Sequence, residues 1–225
     1  MIISVHLPKT AGESFAASLK EHFKEKFHKD VSDKPINTPT IRRNTKAIID
    51  LIKNGFNRHH GIDCIHGHFL PLKYGSLAFR KEVIFVTWLR DPVERMASHY
   101  HYWRRNYHPE TAPPLYQKMM DEDWSLENFC FRKELQNFYS QFLWGFPISQ
   151  FSFIGIVEHY EEDFNFFRYH ILNTPLSLYK INYNPDKHGI RYINDEVLRQ
   201  RIARFHQKDM NLYNSILERR VLRKK

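Results

Sequence analysis

The chain has 225 residues, enough for one α/β domain with a sizeable core, and its 42% hydrophobic and 15% aromatic content excludes intrinsic disorder. A net charge of +9 favours anionic partners: nucleotides, acidic glycans, nucleic acid or membrane surfaces. Two cysteines, Cys64 and Cys130, exclude a disulfide framework, and their apolar flanks predict buried free thiols. In chain order, the apolar run Ile2 to Leu7 predicts a buried strand, and Phe15, Leu19, Phe23 and Phe27 then recur at helical spacing. Residues 28–41, polar and with two prolines, read as a surface loop. A helix is expected over Thr45 to Asn54, with Ile48, Ile49 and Ile52 on one side, and a short strand over Asp63 to His66.

Val83 to Leu89 suits a central parallel strand, and a helix begins at Pro92 and ends before the break at Pro109 to Pro114. Ser125 suits the cap of a helix containing Leu126 and Phe129; further helices are expected over Glu134 to Trp144 and Glu161 to Leu172. Strands are expected over Phe151 to Val157 and Leu178 to Asn182, and two closing helices start near Asn194 and Lys208. No repeat or linker divides the chain. Alternating strands and helices predict a central, mainly parallel sheet flanked by helices, whose ligands bind beyond the carboxyl ends of the strands.

Between the first strand and its helix lies Leu7-Pro8-Lys9-Thr10-Ala11-Gly12-Glu13-Ser14-Phe15. N–H groups at a helix start, the helix dipole, a cation at Lys9 and the small Gly12 together make a site for phosphate or sulfate. The nucleotide loop GxxxxGK[ST] has its Lys after the second Gly, whereas here Lys9 precedes Gly12 and the first Gly is missing. The order Pro-Lys-Thr-x-Gly-x-Ser instead resembles the 5′-phosphosulfate loop of sulfotransferases that use 3′-phosphoadenosine 5′-phosphosulfate (PAPS). That resemblance implies a P-loop-like sulfotransferase fold over residues 1–225, with Lys9, Thr10, Ala11, Gly12, Glu13 and Ser14 holding the donor. Glu13 departs from the pattern, since many relatives have Thr or Ser there.

A second segment, Arg90-Asp91-Pro92-Val93-Glu94-Arg95-Met96-Ala97-Ser98-His99-Tyr100, follows the strand at 83–89. Asp91 suits an N-cap, Pro92 the first helical position, and Glu94 the capping-box carboxylate. Ser98 then lies about two turns in, roughly 9 Å along the axis. The pattern resembles the 3′-phosphate segment of the same sulfotransferases, which implies that Arg90 and Ser98 hold the phosphate that distinguishes PAPS. By the same likeness, the basic loop with Lys187 and His188 covers the donor; a solvated loop is the alternative. Ile154-Gly155-Ile156-Val157-Glu158 and the closing Asp209-to-Tyr213 helix resemble scaffold elements of the family.

Sulfuryl transfer requires a base to take the acceptor's proton, and His66-Gly67-His68 at a strand end is the candidate. Alternation puts both imidazoles on one side, and Gly67 leaves room for a substrate near the backbone. The segment resembles the catalytic loop of heparan sulfate 2-O-sulfotransferases and uronyl 2-O-sulfotransferases, implying His68 as base with His66 assisting. A structural pair and a metal pair with His59 and His60 are the competing readings, although no accepted zinc spacing surrounds them. Lys9 would stabilise the leaving phosphate, and no metal is required.

His99, Tyr102, Arg104 and Arg105 form an aromatic and basic cluster suited to a sugar bearing carboxylates or sulfates, the alternative being core packing and solvated charges. The expected activity is therefore sulfuryl transfer from PAPS to a hydroxyl of an acidic poly- or oligosaccharide, releasing 3′-phosphoadenosine 5′-phosphate (PAP). A P-loop phosphotransferase and a non-catalytic module binding anions or nucleic acid stand as alternatives; no nucleic-acid motif is visible. The sequence shows neither a secretory signal nor a transmembrane segment, so a cytoplasmic enzyme, such as a bacterial one, is expected; a trimmed Golgi lumenal domain would look the same.

Overall fold

Strands covered on both faces read as continuous apolar runs, and such runs form the middle of the sheet. The computed structural model describes residues 1–33, 38–55, 60–181 and 191–222. Among them five strands pair in parallel: β1 (Ile2–Val5), β2 (Phe27–Asp30), β3 (Cys64–Gly67), β4 (Ile84–Leu89) and β5 (Phe151–Ile156). Their order is β2-β3-β1-β4-β5. The protein is thus α/β, with a parallel central sheet flanked by helices. The chain leaves β1 toward one edge and β4 toward the other, so the direction of winding reverses between these neighbours, the place where such sheets bind ligands. No helix among the described residues is long and apolar enough to cross a membrane.

The chain divides into two compact units, Met1–Leu89 with Gln141–Tyr183 and Arg90–Ser140 with Asn184–Lys225. The first holds the sheet with α1 (Gly12–Phe23), α2 (Thr40–Gly55) and α7 (Tyr160–Phe166), the last continuing as a π-helical turn over Phe167–Ile171. Its core gathers Ile2, Phe15, Leu19, Val86, Trp88, Phe153, Phe164 and Phe167. Each such side chain contributes about 2–3 kcal/mol by burial. Gly155 is required here, because a Cβ would lie 2.4 Å from the Trp88 ring.

Three sequence expectations change in this unit. Helical spacing carried the first helix to Phe27, but it ends at Phe23, where Lys24 takes a positive φ of 48°. Phe27 instead opens β2, an edge strand that the expected surface loop concealed, because His28 and Lys29 are exposed and only Phe27 is apolar. Leu178 to Ile181 form no strand, and Asn182 lies outside the described residues. The side of α2 that carries Ile48, Ile49 and Ile52 faces solvent.

The second unit is helical, with α3 (Pro92–Arg105), α4 (Pro114–Asp121), α5 (Leu126–Cys130), α8 (Glu196–Phe205) and α9 (Gln207–Leu222). Asp91 caps α3, accepting from the Val93 and Glu94 N–H groups at 2.8 and 3.2 Å. Glu94 does not close a capping box. Its carboxylate accepts from Arg199 at 2.6 Å and from the Tyr192 N–H at 2.9 Å, while Arg199 also reaches Asp91 at 3.0 Å. The helix expected over Glu134 to Trp144 is interrupted at Asn137, which has φ 50°, and resumes as α6 (Phe138–Phe142). Asp209, from α9, accepts from the Tyr139 and Ser140 N–H groups at the start of that helix.

Removing the Arg199 guanidinium takes a shared cation away from both Asp91 and the buried Glu94. Arg199→Ala should lower stability by about 3 kcal/mol. Arg201→Ala, which breaks the exposed pair with Glu127, should cost less than about 1 kcal/mol. Urea denaturation of the two variants measures the difference.

Candidate active site

The turn after β1 is held by its own side chains. Thr10 Oγ1 donates to the Leu7 carbonyl at 2.7 Å, and Lys9 and Ala11 both take left-handed backbone, with φ 69° and 60°. Ala11 is the N-cap, and its carbonyl accepts from the Phe15 N–H at 3.1 Å. The N–H groups of Gly12, Glu13 and Ser14 therefore have no acceptor within the helix, the arrangement that receives an anion. Ser14 Oγ is engaged elsewhere: it accepts from the Ile181 N–H at 2.9 Å and donates to the Ile181 carbonyl at 3.2 Å. What Ser14 can offer a ligand is its backbone. The segment expected as a strand over Leu178 to Asn182 thus spends its last described peptide group on a side chain.

Gly12 has a different reason from the one its sequence suggests. A Cβ there would fall 1.9 Å from the His6 imidazole, so the glycine makes room for a ring of the protein itself. Gly67 is similar, since a Cβ would lie 1.7 Å from the Asp30 carbonyl oxygen on β2. The space expected for substrate is filled by backbone.

Parallel pairing sets Ser4 opposite His66 and Val5 opposite Gly67. Side chains alternate, so Ser4 and His6 share a face with His66 and His68. The His6 ring stacks on both others, with centroids 4.2 Å from His68 and 5.3 Å from His66. His66 is buried, its Nδ1 is 2.8 Å from Ser4 Oγ, and burial, with the neighbouring His68 and Lys29 adding to it, pushes its pKa down to about 3. Its Nε2 is buried without a hydrogen-bond partner. Such a ring is neutral and shielded, a support rather than an open base.

His68 is half-buried. Its Nδ1 lies 2.7 Å from the His6 carbonyl oxygen, and a carbonyl can only accept, so Nδ1 carries the proton. Burial holds its pKa below the ordinary histidine value, against the opposing pull of that hydrogen bond and of Glu13. The neutral ring therefore keeps a lone pair on Nε2. His6 was absent from the sequence-predicted site; the signal was its place two residues beyond Ser4 on the face that carries the other two imidazoles. Burial and the flanking His68 and His66 rings also hold the His6 pKa well below the ordinary value.

In the second unit, the Tyr139 hydroxyl accepts from the Arg90 N–H at 3.0 Å and donates to the Arg90 carbonyl at 2.7 Å, pinning that residue's backbone. The Arg90 guanidinium lies over the Tyr192 ring at 5.5 Å. Ser98 is buried on α3. The aromatic and basic cluster divides: His99 packs among Trp103, Phe129 and Phe138, out of reach of an acceptor, while Tyr102 and Arg105 are exposed and Arg104 pairs with Asp123. Lys187 and His188 lie outside the described residues, as does His59. No group of three His, Cys, Asp or Glu among the described residues is arranged to hold a metal ion. Cys64 and Cys130 are free and buried.

No protein-family model and no curated protein matches the sequence. A solved structure, the mouse sulfotransferase SULT7A1 complexed with PAP, aligns at 15% identity with a TM-score of 0.38, covering 90% of this chain and 62% of that one. The chain thus spans less than two thirds of that relative's length, and so distant a likeness says nothing of what this chain binds.

The buried imidazoles tie stability to pH. Between about pH 6.5, the unperturbed value, and about 3 for His66, the unfolded chain binds a proton that the folded chain does not. Stability should therefore fall as pH drops through this window, by up to about 1.4 kcal/mol per pH unit for each such ring. Urea denaturation across the window should show a slope about one proton shallower in His66→Gln.

Proposed function

We propose that this protein is a sulfotransferase that moves a sulfuryl group from PAPS to a hydroxyl of an acidic carbohydrate. One observation carries the reading. The imidazole whose Nε2 keeps its lone pair stacks directly on the ring against which Gly12 is packed, so a base stands one ring away from an anion-receiving helix start. The loop fits the phosphosulfate end of the donor, through Lys9 and the backbone N–H groups from Thr10 to Ser14. Arg90 and Ser98 are assigned to its 3′-phosphate by the sequence pattern.

The donor supplies the sulfuryl group and departs as PAP. His68 takes the acceptor's hydroxyl proton at Nε2 as the oxygen attacks, and the His6 carbonyl holds the ring in the tautomer that can do so. Lys9 and the helix-start N–H groups stabilise the negative charge that grows on the leaving phosphate, with no reorganisation at the moment of reaction. Tyr102, Arg104 and Arg105 are the exposed members of the cluster assigned to the acidic acceptor.

Calorimetry should find PAP bound about tenfold or more tighter than AMP, as one additional charge-assisted phosphate contact implies; equal affinities would remove Arg90 and Ser98 from the site. His68→Ala should lower transfer by about a hundredfold or more while leaving PAP affinity nearly unchanged. Because His68 must be neutral to act and its pKa is depressed, the acid limb of the rate profile should lie below about pH 6.5. Full activity in His68→Ala would exclude it as the base.

A further inference from the structure

Helix α2 is amphipathic, and it is turned inside out. Arg43 and Ala47 are buried, Leu51 packs against Gly75, and Asn54 donates to the Lys73 carbonyl, so the inward side is largely polar or small. The apolar side looks outward: Ile41 is 83% exposed, Ile48 and Ile49 45% each, and Ile52 59%. Residues 41, 48 and 52 fall within a narrow arc of the helical wheel, with Ile49 at its margin. The exposed charges of the helix are all cationic, Arg42, Lys46 and Lys53, and they run along the same margin as Ile49. Its acidic residue, Asp50, is half-buried and paired with Lys46 at 2.5 Å.

We infer that this face of α2 lies on an anionic lipid bilayer, with the isoleucines in the boundary between headgroups and acyl chains and Arg42 and Lys53 on lipid phosphates. A contiguous apolar stripe exposed on a soluble surface marks an interaction site. An in-plane helix with an apolar face and Lys or Arg beside it is the form that binds a bilayer surface without crossing it. Charge decides the occupant. A second copy offers these cations no opposite charge on this face and, with the helices antiparallel, sets the pair Arg42 and Lys53 against its own copy, whereas an anionic membrane complements them, as it does the net charge of +9. The 16 residues of α2 make a contact about 24 Å long. Nothing in this assignment rests on the transfer reaction.

Co-sedimentation of the full chain with phosphatidylcholine vesicles, with and without about 30 mol% phosphatidylserine, tests it. Binding is expected to the anionic vesicles and to weaken with salt. Ile48→Ser/Ile52→Ser keeps the charge and touches only exposed side chains, so it should fold normally by circular dichroism yet lose about tenfold or more of its vesicle affinity. Arg42→Gln/Lys53→Gln should weaken binding and flatten its salt dependence. Three results would overturn the assignment: no binding to anionic vesicles, binding unchanged by the isoleucine substitutions, or a dimer in solution that needs Ile48 and Ile52 while vesicles go unbound. The second of these would mean that net charge alone draws the protein to lipid.

Discussion

Parallel pairing of β1 with β3 in one particular register is the constraint on which the candidate site depends. With Ser4 opposite His66, the three imidazoles share a face and His6 stacks between the other two. A slip by one residue would send His66 and His68 to the opposite side of the sheet. The register is fixed from both flanks: β1 also pairs with β4, and Thr87 Oγ1 donates to the Val5 carbonyl at 2.8 Å. The His6 N–H donates to the Gly67 carbonyl at 2.8 Å, extending the ladder to the last residue before His68. The site is thus a product of backbone hydrogen bonding before it is a set of side chains.

Much of this was legible because it is local. A strand, a turn containing Lys9 and Gly12, and a helix start are contiguous in sequence and required only periodicity and capping chemistry to read. Asp91 and Pro92 marked the start of α3 for the same reason. What the sequence concealed was determined by distant residues. Ser14 spends its hydroxyl on Ile181, 167 residues away, and Glu94 is diverted from its own helix by Arg199, 105 residues away. The break at Asn137 is matched by Asp209, a carboxylate that only tertiary structure brings to that helix start. The edge strand β2 had no alternation to detect, since an edge strand can expose both of its central side chains.

The glycines show how a correct assignment can carry the wrong reason. Gly12 and Gly67 both sit where a side chain is forbidden, and in a sequence such positions suggest a ligand close to the backbone. In the structure the forbidding atoms belong to His6 and Asp30. Gly12 admits the His6 ring, whose residue positions His68, and Gly67 lets β2 close against β3 at Asp30. The isoleucines of α2 teach the converse: periodicity identified the apolar side of the helix, but only the fold reveals whether that side faces inward.

The stacked imidazoles have one more consequence. Rings at 4.2 and 5.3 Å in a shielded setting cannot be charged independently, because a proton on any one raises the free energy of placing a proton on its neighbours. Their titrations are therefore coupled. A proton on His68 would raise the cost of charging His6 and His66 behind it. Burial depresses all three pKa values, and the neighbouring rings deepen that depression at His6 and His66, so the face that gathers the imidazoles keeps its inner pair neutral.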